Sequence, residues 1–113
     1  MLRPFLIATA LSLVVLFSGA AAASAAGCSS LPRYPGSGYF TSLKVSGVSC
    51  STGKKVMLAH YRCRTKHGKT GRCSSVSGYR CSEKRRSIET EIDATVTCKR
   101  GSKKVIYSYQ QDT

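Results

Sequence analysis

The stretch that most constrains the fold is residues 92–109, where apolar and polar residues alternate in two arms joined by a short polar segment. Strict two-residue alternation is typical of half-buried β-strands, and a Gly within a short polar segment is typical of a hairpin turn. If Arg100-Gly101 is the centre of the turn, antiparallel pairing places Val96 opposite Val105 and puts the apolar residues of both arms on one face. The pattern therefore predicts a β-hairpin with one buried face.

The first 26 residues are typical of a secretory signal peptide. Arg3 provides a positive charge, residues 4–17 form a predominantly apolar core, and residues 18–26 are small. This core is too short for a stable transmembrane span. We predict cleavage after Ala26, with Ala25 as the alternative, and a mature protein that is secreted and has no stable membrane span.

Cys28 supports an alternative localisation. Residues 25–28 have the layout of a bacterial lipobox, whose cysteine is acylated and anchors the mature protein to a membrane. Two observations favour the soluble form instead. The apolar core ends at Phe17, well before Cys28, and acylation would leave five cysteines, an odd number for an exported protein. A lipoprotein anchored through Cys28 is therefore retained as the minor alternative.

Six cysteines provide the second constraint on the fold. Removing 26 residues from the 113 leaves 87, a length at which a hydrophobic core alone provides only marginal stability. In an oxidising compartment these cysteines predict three disulfides, each worth about 2–4 kcal/mol. All fifteen connectivities remain open, with a preference for a local bridge across the basic, Gly-containing loop between the third and fourth cysteines. The candidate bridge residues are Cys28, Cys50, Cys63, Cys73, Cys81 and Cys98.

The cysteines and histidines do not have the spacing of a metal site. The chain contains no C-x-x-C pair, and His60 and His67 lack the usual spacing of zinc ligands. We therefore predict no metal and no cofactor.

The pattern along the mature chain predicts a disulfide-stabilised α+β fold. Residues 27–38, which are rich in Gly, Ser and Pro, are expected to form a loop or N-terminal arm, and residues 39–113 a single small domain. We predict a small antiparallel sheet of three to four strands, made of a meander over residues 76–109 and an edge strand near Leu43, with one helix packed on a face.

The helix is predicted over residues 54–64, which contain no Gly or Pro. Ser51 or Thr52 can cap its N-terminus with a hydroxyl group. The apolar stripe expected to pack on the sheet consists of Val56, Ala59 and Cys63.

The net positive charge of the chain favours anionic binding partners. The chain has 18 Lys and Arg against 5 Asp and Glu, a formal charge of +13, which becomes +12 without Arg3. Such a charge attracts anionic polymers, such as a cell-wall polyanion or nucleic acid, although it can also serve only to keep an exported protein soluble. The candidate anion-binding residues are Lys99, Arg100, Lys103 and Lys104 at the hairpin turn, Arg64, Lys66, Lys69 and Arg72 after the helix, and Arg80, Lys84, Arg85 and Arg86 further along. The candidate base-stacking residues, for which burial in the core is the alternative, are Tyr79, Tyr107 and Tyr109.

No motif in the sequence indicates catalysis, and we predict a non-enzymatic protein with no catalytic residues. The enzyme alternative is a small basic secreted nuclease in which His60 or His67 acts with Glu89 or Glu91. A cationic antimicrobial or a protease-inhibitor-like protein is a further alternative. An antimicrobial protein needs an exposed apolar face beside its charge, and few apolar residues remain for one once the core is filled.

Three short cysteine-containing motifs mark the domain: V-S-C at 48–50, G-Y-R-C at 78–81, and V-T-C-K-R-G at 96–101 followed by V-I-Y-S-Y. Their layout resembles a group of small secreted actinobacterial proteins of unknown function, over roughly residues 43–109. The resemblance implies export and a disulfide-linked α+β domain, and it supplies no catalytic residues. The cysteines that are additional to the commoner pattern are Cys28, Cys63 and Cys73.

Overall fold

The structure is a computed structural model that describes residues 25–113. This part of the chain forms six strands and one helix: β1 (Ala26–Gly27), β2 (Gly38–Ser46), α1 (Cys50–Thr65), β3 (Ser75–Val76), β4 (Tyr79–Ile88), β5 (Glu91–Arg100) and β6 (Lys103–Asp112). The strands form one antiparallel sheet in the order β1-β2-β6-β5-β4-β3. The predicted α+β class, with one helix on an antiparallel sheet, is confirmed, but three to four strands were too few. Most of the predicted signal peptide lies outside the described residues.

β2 lies within the sheet and not at its edge, where the strand near Leu43 was predicted. It pairs with β6 on one side and with the two-residue β1 on the other. The predicted N-terminal arm therefore begins in one strand and ends in another, with a loop over residues 28–37 between them. A strand of two residues is too short for any alternation to reveal, so the sequence pattern could not indicate β1.

β5 and β6 form the predicted hairpin, but their register differs from the prediction by two residues. Val105 lies opposite Cys98 and not opposite Val96. The reason is the turn, which consists of residues 101–102 and begins with Gly101 at φ +57°, as the first position of a type II′ turn requires. Because the shift is two residues, every apolar position keeps its predicted face.

A second tight hairpin joins β3 to β4, at the start of the segment that was predicted as a meander. Its turn residues are Ser77 and Gly78, with φ values of +53° and +78°, and type I′ turns require positive φ at both central positions. β4 then continues to Ile88, so the polar residues after Cys81 extend the sheet.

α1 is close to its predicted position, but its cap and its buried face differ. Ser49 is the N-cap, and its Oγ accepts a hydrogen bond from the Thr52 N–H at 3.1 Å. The buried residues of the helix are Gly53, Val56, Met57, His60 and Arg64. The predicted stripe residues Ala59 and Cys63 are only half-buried. Compared with the prediction, the helix is rotated so that two of its own polar side chains, His60 and Arg64, face the sheet. Their hydrogen-bond partners lie elsewhere in the chain, and apolar periodicity cannot detect such contacts.

The core lies between α1 and one face of the sheet, and β6 runs through its centre. Val105, Tyr107 and Tyr109 on β6 are at most 2% exposed, and alternate residues of the strand point to the other side. No other helix among residues 25–113 packs on that second face. We refer to this second face of the sheet as the open face.

Three disulfides fasten the elements together, and they leave no free cysteine among the described residues. The bridges are Cys28–Cys50, Cys63–Cys73 and Cys81–Cys98. The predicted local bridge across the loop after the helix is therefore confirmed. The sulfur of Cys28 is used in the bridge to the start of α1, and this pairing leaves no thiol for lipid attachment.

Three disulfides point towards an oxidising, extracellular environment. Among the residues that the structure describes, no helix has the length and apolar character needed to cross a membrane.

Gly53→Ala is expected to destabilise the fold, although Ala favours helices. A Cβ atom at this position would lie 2.5 Å from Cγ1 of Val45 and 3.5 Å from a methyl group of Leu43. Overpacking should therefore outweigh the gain of about 1 kcal/mol that Ala has over Gly in a helix. We expect urea denaturation to show a net loss of about 1–2 kcal/mol in the free energy of unfolding.

Ser51→Ala, at an exposed position in the same turn, is the matched control and should change the free energy of unfolding by less than about 0.5 kcal/mol. A Gly53→Ala variant as stable as the wild type would contradict the close contact between α1 and β2.

Candidate anion-binding surface

Arg64, a predicted anion-binding residue, is completely buried between α1 and the sheet. Its Nη2 donates hydrogen bonds to Tyr34 Oη and Gln111 Oε1, both at 2.9 Å, and its Nη1 donates to the backbone oxygen of Lys69 at 3.2 Å. The guanidinium carbon also lies 4.4 Å from the centre of the Tyr109 ring. Arg64 therefore links the helix to the sheet and to two loops, and it does not contribute to a surface for ligands.

Arg85 and Arg72, two further candidates, contact a buried carboxylate. Glu83, on the helix side of β4, forms an ion pair with Arg85 and a longer one, at 3.6 Å, with Arg72. Glu83 also accepts a hydrogen bond from Tyr109 Oη at 2.7 Å. Arg85 in addition donates to the backbone oxygens of residues 70–71. Arg85 is therefore a structural residue, which fastens the loop after α1 to β4, while Arg72 remains largely exposed.

His60, a candidate in the nuclease alternative, is buried with both ring nitrogens in use. Its Nε2 donates to the backbone oxygen of Cys73 at 3.1 Å, so its Nδ1 accepts the hydrogen bond from Tyr107 Oη. Burial lowers the pKa of His60 below its ordinary value of 6.5. The imidazole is therefore neutral in the folded protein near pH 7, and it is closed to substrates.

The residues of the nuclease alternative lie in three different parts of the structure. Glu89 and Glu91 lie at the turn between β4 and β5, His67 lies in the loop after α1, and His60 lies in the core. Within residues 25–113, no hydrogen bond or ion pair joins either histidine to either glutamate. The described residues therefore give this alternative no acid–base pair in direct contact, and the alternative stays a prediction.

The three candidate stacking residues belong to the core. Tyr79, Tyr107 and Tyr109 are at most 3% exposed. Burial raises the pKa of Tyr107 and of Tyr109, so both phenols stay protonated and act as hydrogen-bond donors. An aromatic ring does reach the surface at Tyr39, which is 68% exposed and lies opposite Gln110 on the open face.

Basic residues cluster at the end of the sheet that contains the β5–β6 turn. On the open face, Lys99 of β5 lies between Lys104 of β6 and Arg80 of β4. Neighbouring strands are about 4.8 Å apart, so these three residues form one row across the sheet. In the described part of the chain, none of the three side chains forms a hydrogen bond or an ion pair.

Two more cations lie at the same end, on the helix side of the sheet. Arg100 and Lys103 are directly opposite each other on either side of the turn. Three of the four turn residues named from the sequence are exposed, and Lys104 is partly exposed. We refer to the five residues together as the basic end: Arg80, Lys99, Arg100, Lys103 and Lys104.

Four of the five acidic residues lie far from the basic end. Glu89 is in the β4–β5 turn, Glu91 begins β5 opposite Asp112, and Asp93 follows two residues later. Lys99 is eight residues from Glu91 along β5, a distance of about 27 Å at about 3.4 Å per residue. Since Glu83, the fifth acidic residue of the chain, is held in the buried ion pairs, no carboxylate offsets the charge of the basic end.

The candidate residues after the helix do not belong to the basic end. Lys66 and Lys69 follow the C-terminal end of α1, and the backbone oxygen of Lys69 is bonded to Gln111 near the end of β6, far from the turn. Arg86 is exposed on the open face but lies opposite Asp93. Of the candidate residues outside the turn, Arg80 therefore belongs to the basic end. Its position there depends on the register between β4 and β5, which no local sequence pattern specifies.

Lys44 on β2 and Lys84 on β4 add further exposed cations to the open face. Lys55 in α1 lines the same cleft as Arg100 and Lys103. No signal in the sequence could have grouped it with them, because their proximity depends on how α1 is placed along the sheet.

Comparisons of the chain with family models, with curated proteins and with solved structures give no match. The resemblance to secreted actinobacterial proteins stays a prediction.

Arg64→Gln is expected to lower the free energy of unfolding by about 2–4 kcal/mol, because it removes buried hydrogen bonds and the packing of the guanidinium on Tyr109. Arg62→Gln, at an exposed position of the same helix, is the control and should stay within about 0.5 kcal/mol of the wild type. Urea denaturation measures both. Equal effects of the two substitutions would contradict a structural role for Arg64.

His60 generates a pH dependence of stability. Because its folded-state pKa lies below 6.5, the unfolded chain binds the proton more readily than the folded protein does. The contribution of neutral His60 is present above about pH 6.5 and is lost as the pH falls below that value, by at most about 1.4 kcal/mol per pH unit. His60→Gln should therefore flatten the decline in unfolding free energy between about pH 7.5 and about pH 5.

His67→Gln changes the exposed histidine and should keep the wild-type pH profile. If His60→Gln kept the same profile as well, the neutral buried imidazole would not be the cause of the pH dependence.

Proposed function

We propose that this chain is an exported, non-enzymatic protein that binds anionic polymers at the cell envelope or outside the cell, through the basic end and the open face. Either a cell-wall polyanion or a nucleic acid has the required charge. The observation that carries the proposal is the row of Arg80, Lys99 and Lys104, three neighbouring cations without an acidic partner among the described residues.

The energetics of this row favour a binding role over a role in solubility alone. Like charges directly opposite each other on neighbouring strands destabilise a sheet. The spacing of about 4.8 Å is shorter than the screening length of about 8 Å at physiological ionic strength, so salt does not remove the repulsion. A charge needed only for solubility can be dispersed over the surface at lower cost. An anionic backbone lying across the row would neutralise it and offset the repulsion.

The open face has the shape and chemistry for a polymer. It is a sheet surface, and two rows of residues next to the cations contain hydroxyl groups. One row contains Ser82 and Thr97, and the other contains Thr95 and Ser108. Hydroxyl and ammonium groups bind phosphate oxygens without reading a sequence. This combination favours contact along a repeating anionic backbone.

The other two non-enzymatic alternatives have less support. An antimicrobial protein needs an exposed apolar face, whereas among the described residues the exposed large hydrophobic side chains are Tyr39 and Ile88. Among the described residues, no loop has a feature that distinguishes it as a protease-inhibitor loop.

The experiment is to measure the affinity for single-stranded RNA and for heparin as a function of salt concentration. The double variant Lys99→Gln/Lys104→Gln should weaken RNA binding and reduce the slope of log K against log salt by about 1.4, since each lost phosphate contact contributes about 0.7 for single strands. The variant Lys66→Gln/Lys69→Gln removes the same charge from the loop after α1 and should leave the slope nearly unchanged.

An equal loss of slope in both double variants would mean that net charge alone determines binding, and would contradict a role for the basic end. A wild-type protein that binds neither RNA nor heparin at low salt would overturn the proposed function as a whole.

A further inference from the structure

A cleft of about 480 Å³ opens at the basic end, on the helix side of the sheet. It lies between the N-terminal half of α1 and the β3–β4 and β5–β6 turns, and the residues that matter for its chemistry are Thr52, Lys55, Val56, Tyr79, Arg100 and Lys103. Its volume falls within the range of about 300–1,000 Å³ that is typical of small-ligand sites.

Three cations from three different elements line this cleft. Lys55 comes from α1, Arg100 from the end of β5 and Lys103 from the start of β6. No carboxylate is among the residues that line it. Within residues 25–113, none of the three cations is hydrogen-bonded or ion-paired, so all of their donor groups are free to bind an anion.

The guanidinium of Arg100, an exposed residue, lies beside the neighbouring β3–β4 turn. A Cβ atom on Gly78 would lie 3.3 Å from both Cζ and Nε of Arg100, so the guanidinium packs against the backbone of this glycine.

The remaining walls supply an apolar floor and one hydroxyl. Val56 and Tyr79 are at most 3% exposed and close the bottom of the cleft. The Thr52 hydroxyl accepts a hydrogen bond from Ser49 Oγ at 3.2 Å, which leaves its own proton available to a ligand. The cleft therefore presents cationic and hydroxyl donors above an apolar floor and offers no competing carboxylate.

We propose that this cleft binds the terminal phosphate group, a phosphomonoester, of an anionic polymer. The inference rests on the proposed function and adds a second mode of contact, at the end of the polymer. A terminal phosphate carries a charge of about −1.5 to −2 and three free acceptor oxygens, whereas each internal phosphodiester carries a single charge. Arg100 can bind two of the oxygens with its planar fork, and Lys55 and Lys103 neutralise the remaining charge.

The experiment compares polymers that differ only in their terminal group. The probes are a single-stranded oligonucleotide with a 5′ phosphate or a 5′ hydroxyl, and an oligo(glycerol phosphate) of similar length with or without a terminal phosphate. The wild-type protein should bind the phosphate-terminated form about tenfold more tightly in at least one of the two pairs, the gain expected from charge-assisted hydrogen bonds. The pair that shows the larger preference identifies the source of the phosphate.

Arg100→Gln should reduce the tenfold preference to less than about twofold, and Lys55→Gln should reduce it in the same direction. Lys99→Gln is the matched control, because Lys99 is adjacent in sequence but points to the open face. It should weaken the binding of both forms equally and leave their ratio unchanged. Urea denaturation of each variant verifies that the fold is retained, and Lys55→Gln, at an exposed helix position, provides a second variant if Arg100→Gln does not fold.

Equal binding of both terminal forms by the wild type would overturn this inference while leaving the proposed function intact. A loss of preference in Lys99→Gln as large as in Arg100→Gln would also overturn it, since the cleft would then not be the site. A wild-type protein that binds none of the probes would overturn both proposals.

Discussion

The fold depends on the burial of one guanidinium group, that of Arg64, between α1 and the sheet. Burying a charge is costly unless hydrogen bonds and a favourable electrostatic environment compensate for it. Here the compensation comes from Tyr34 in the loop after β1, from Gln111 at the end of β6, and from the face of the Tyr109 ring. The hydroxyl of Tyr109 in turn donates a hydrogen bond to Glu83, which places a carboxylate at the hydroxyl end of the ring. One side chain thus determines how α1, the sheet and the N-terminal loop fit together.

This arrangement divides the basic residues into two groups. Arg64 and Arg85 are buried, and because a buried cation needs partners, each is bound by side-chain or backbone oxygens. The residues of the basic end have no such partners among the described residues, so their charge acts on solvent and on ligands. The positive charge that matters for binding is therefore smaller than the net charge of the chain, but it is concentrated at one end of the sheet.

The β5–β6 turn connects the two proposed contact regions. Because alternate residues of a strand point to opposite faces, Lys99 and Lys104 belong to the open face, whereas Arg100 and Lys103 line the cleft. A polymer lying across the open face can thus reach the cleft by passing around a two-residue turn. The direction of α1, which His60 and Arg64 establish through their contacts with β6, brings Lys55 to the same place.

The sequence by itself determined the α+β class and the buried face of the β5–β6 hairpin, and it favoured the local Cys63–Cys73 bridge without determining it. Alternation, turn residues and short loops act between near neighbours. Only the tertiary structure decided the strand register, the six-stranded sheet and the rotation of α1. The tertiary structure also decided which basic side chains are buried and paired and which are exposed without a partner among the described residues. The partners of Arg64 lie 30 and 47 residues away in sequence, and the row of cations exists because Arg80 lies opposite Lys99. Contacts between such distant segments leave no periodic signal in the chain.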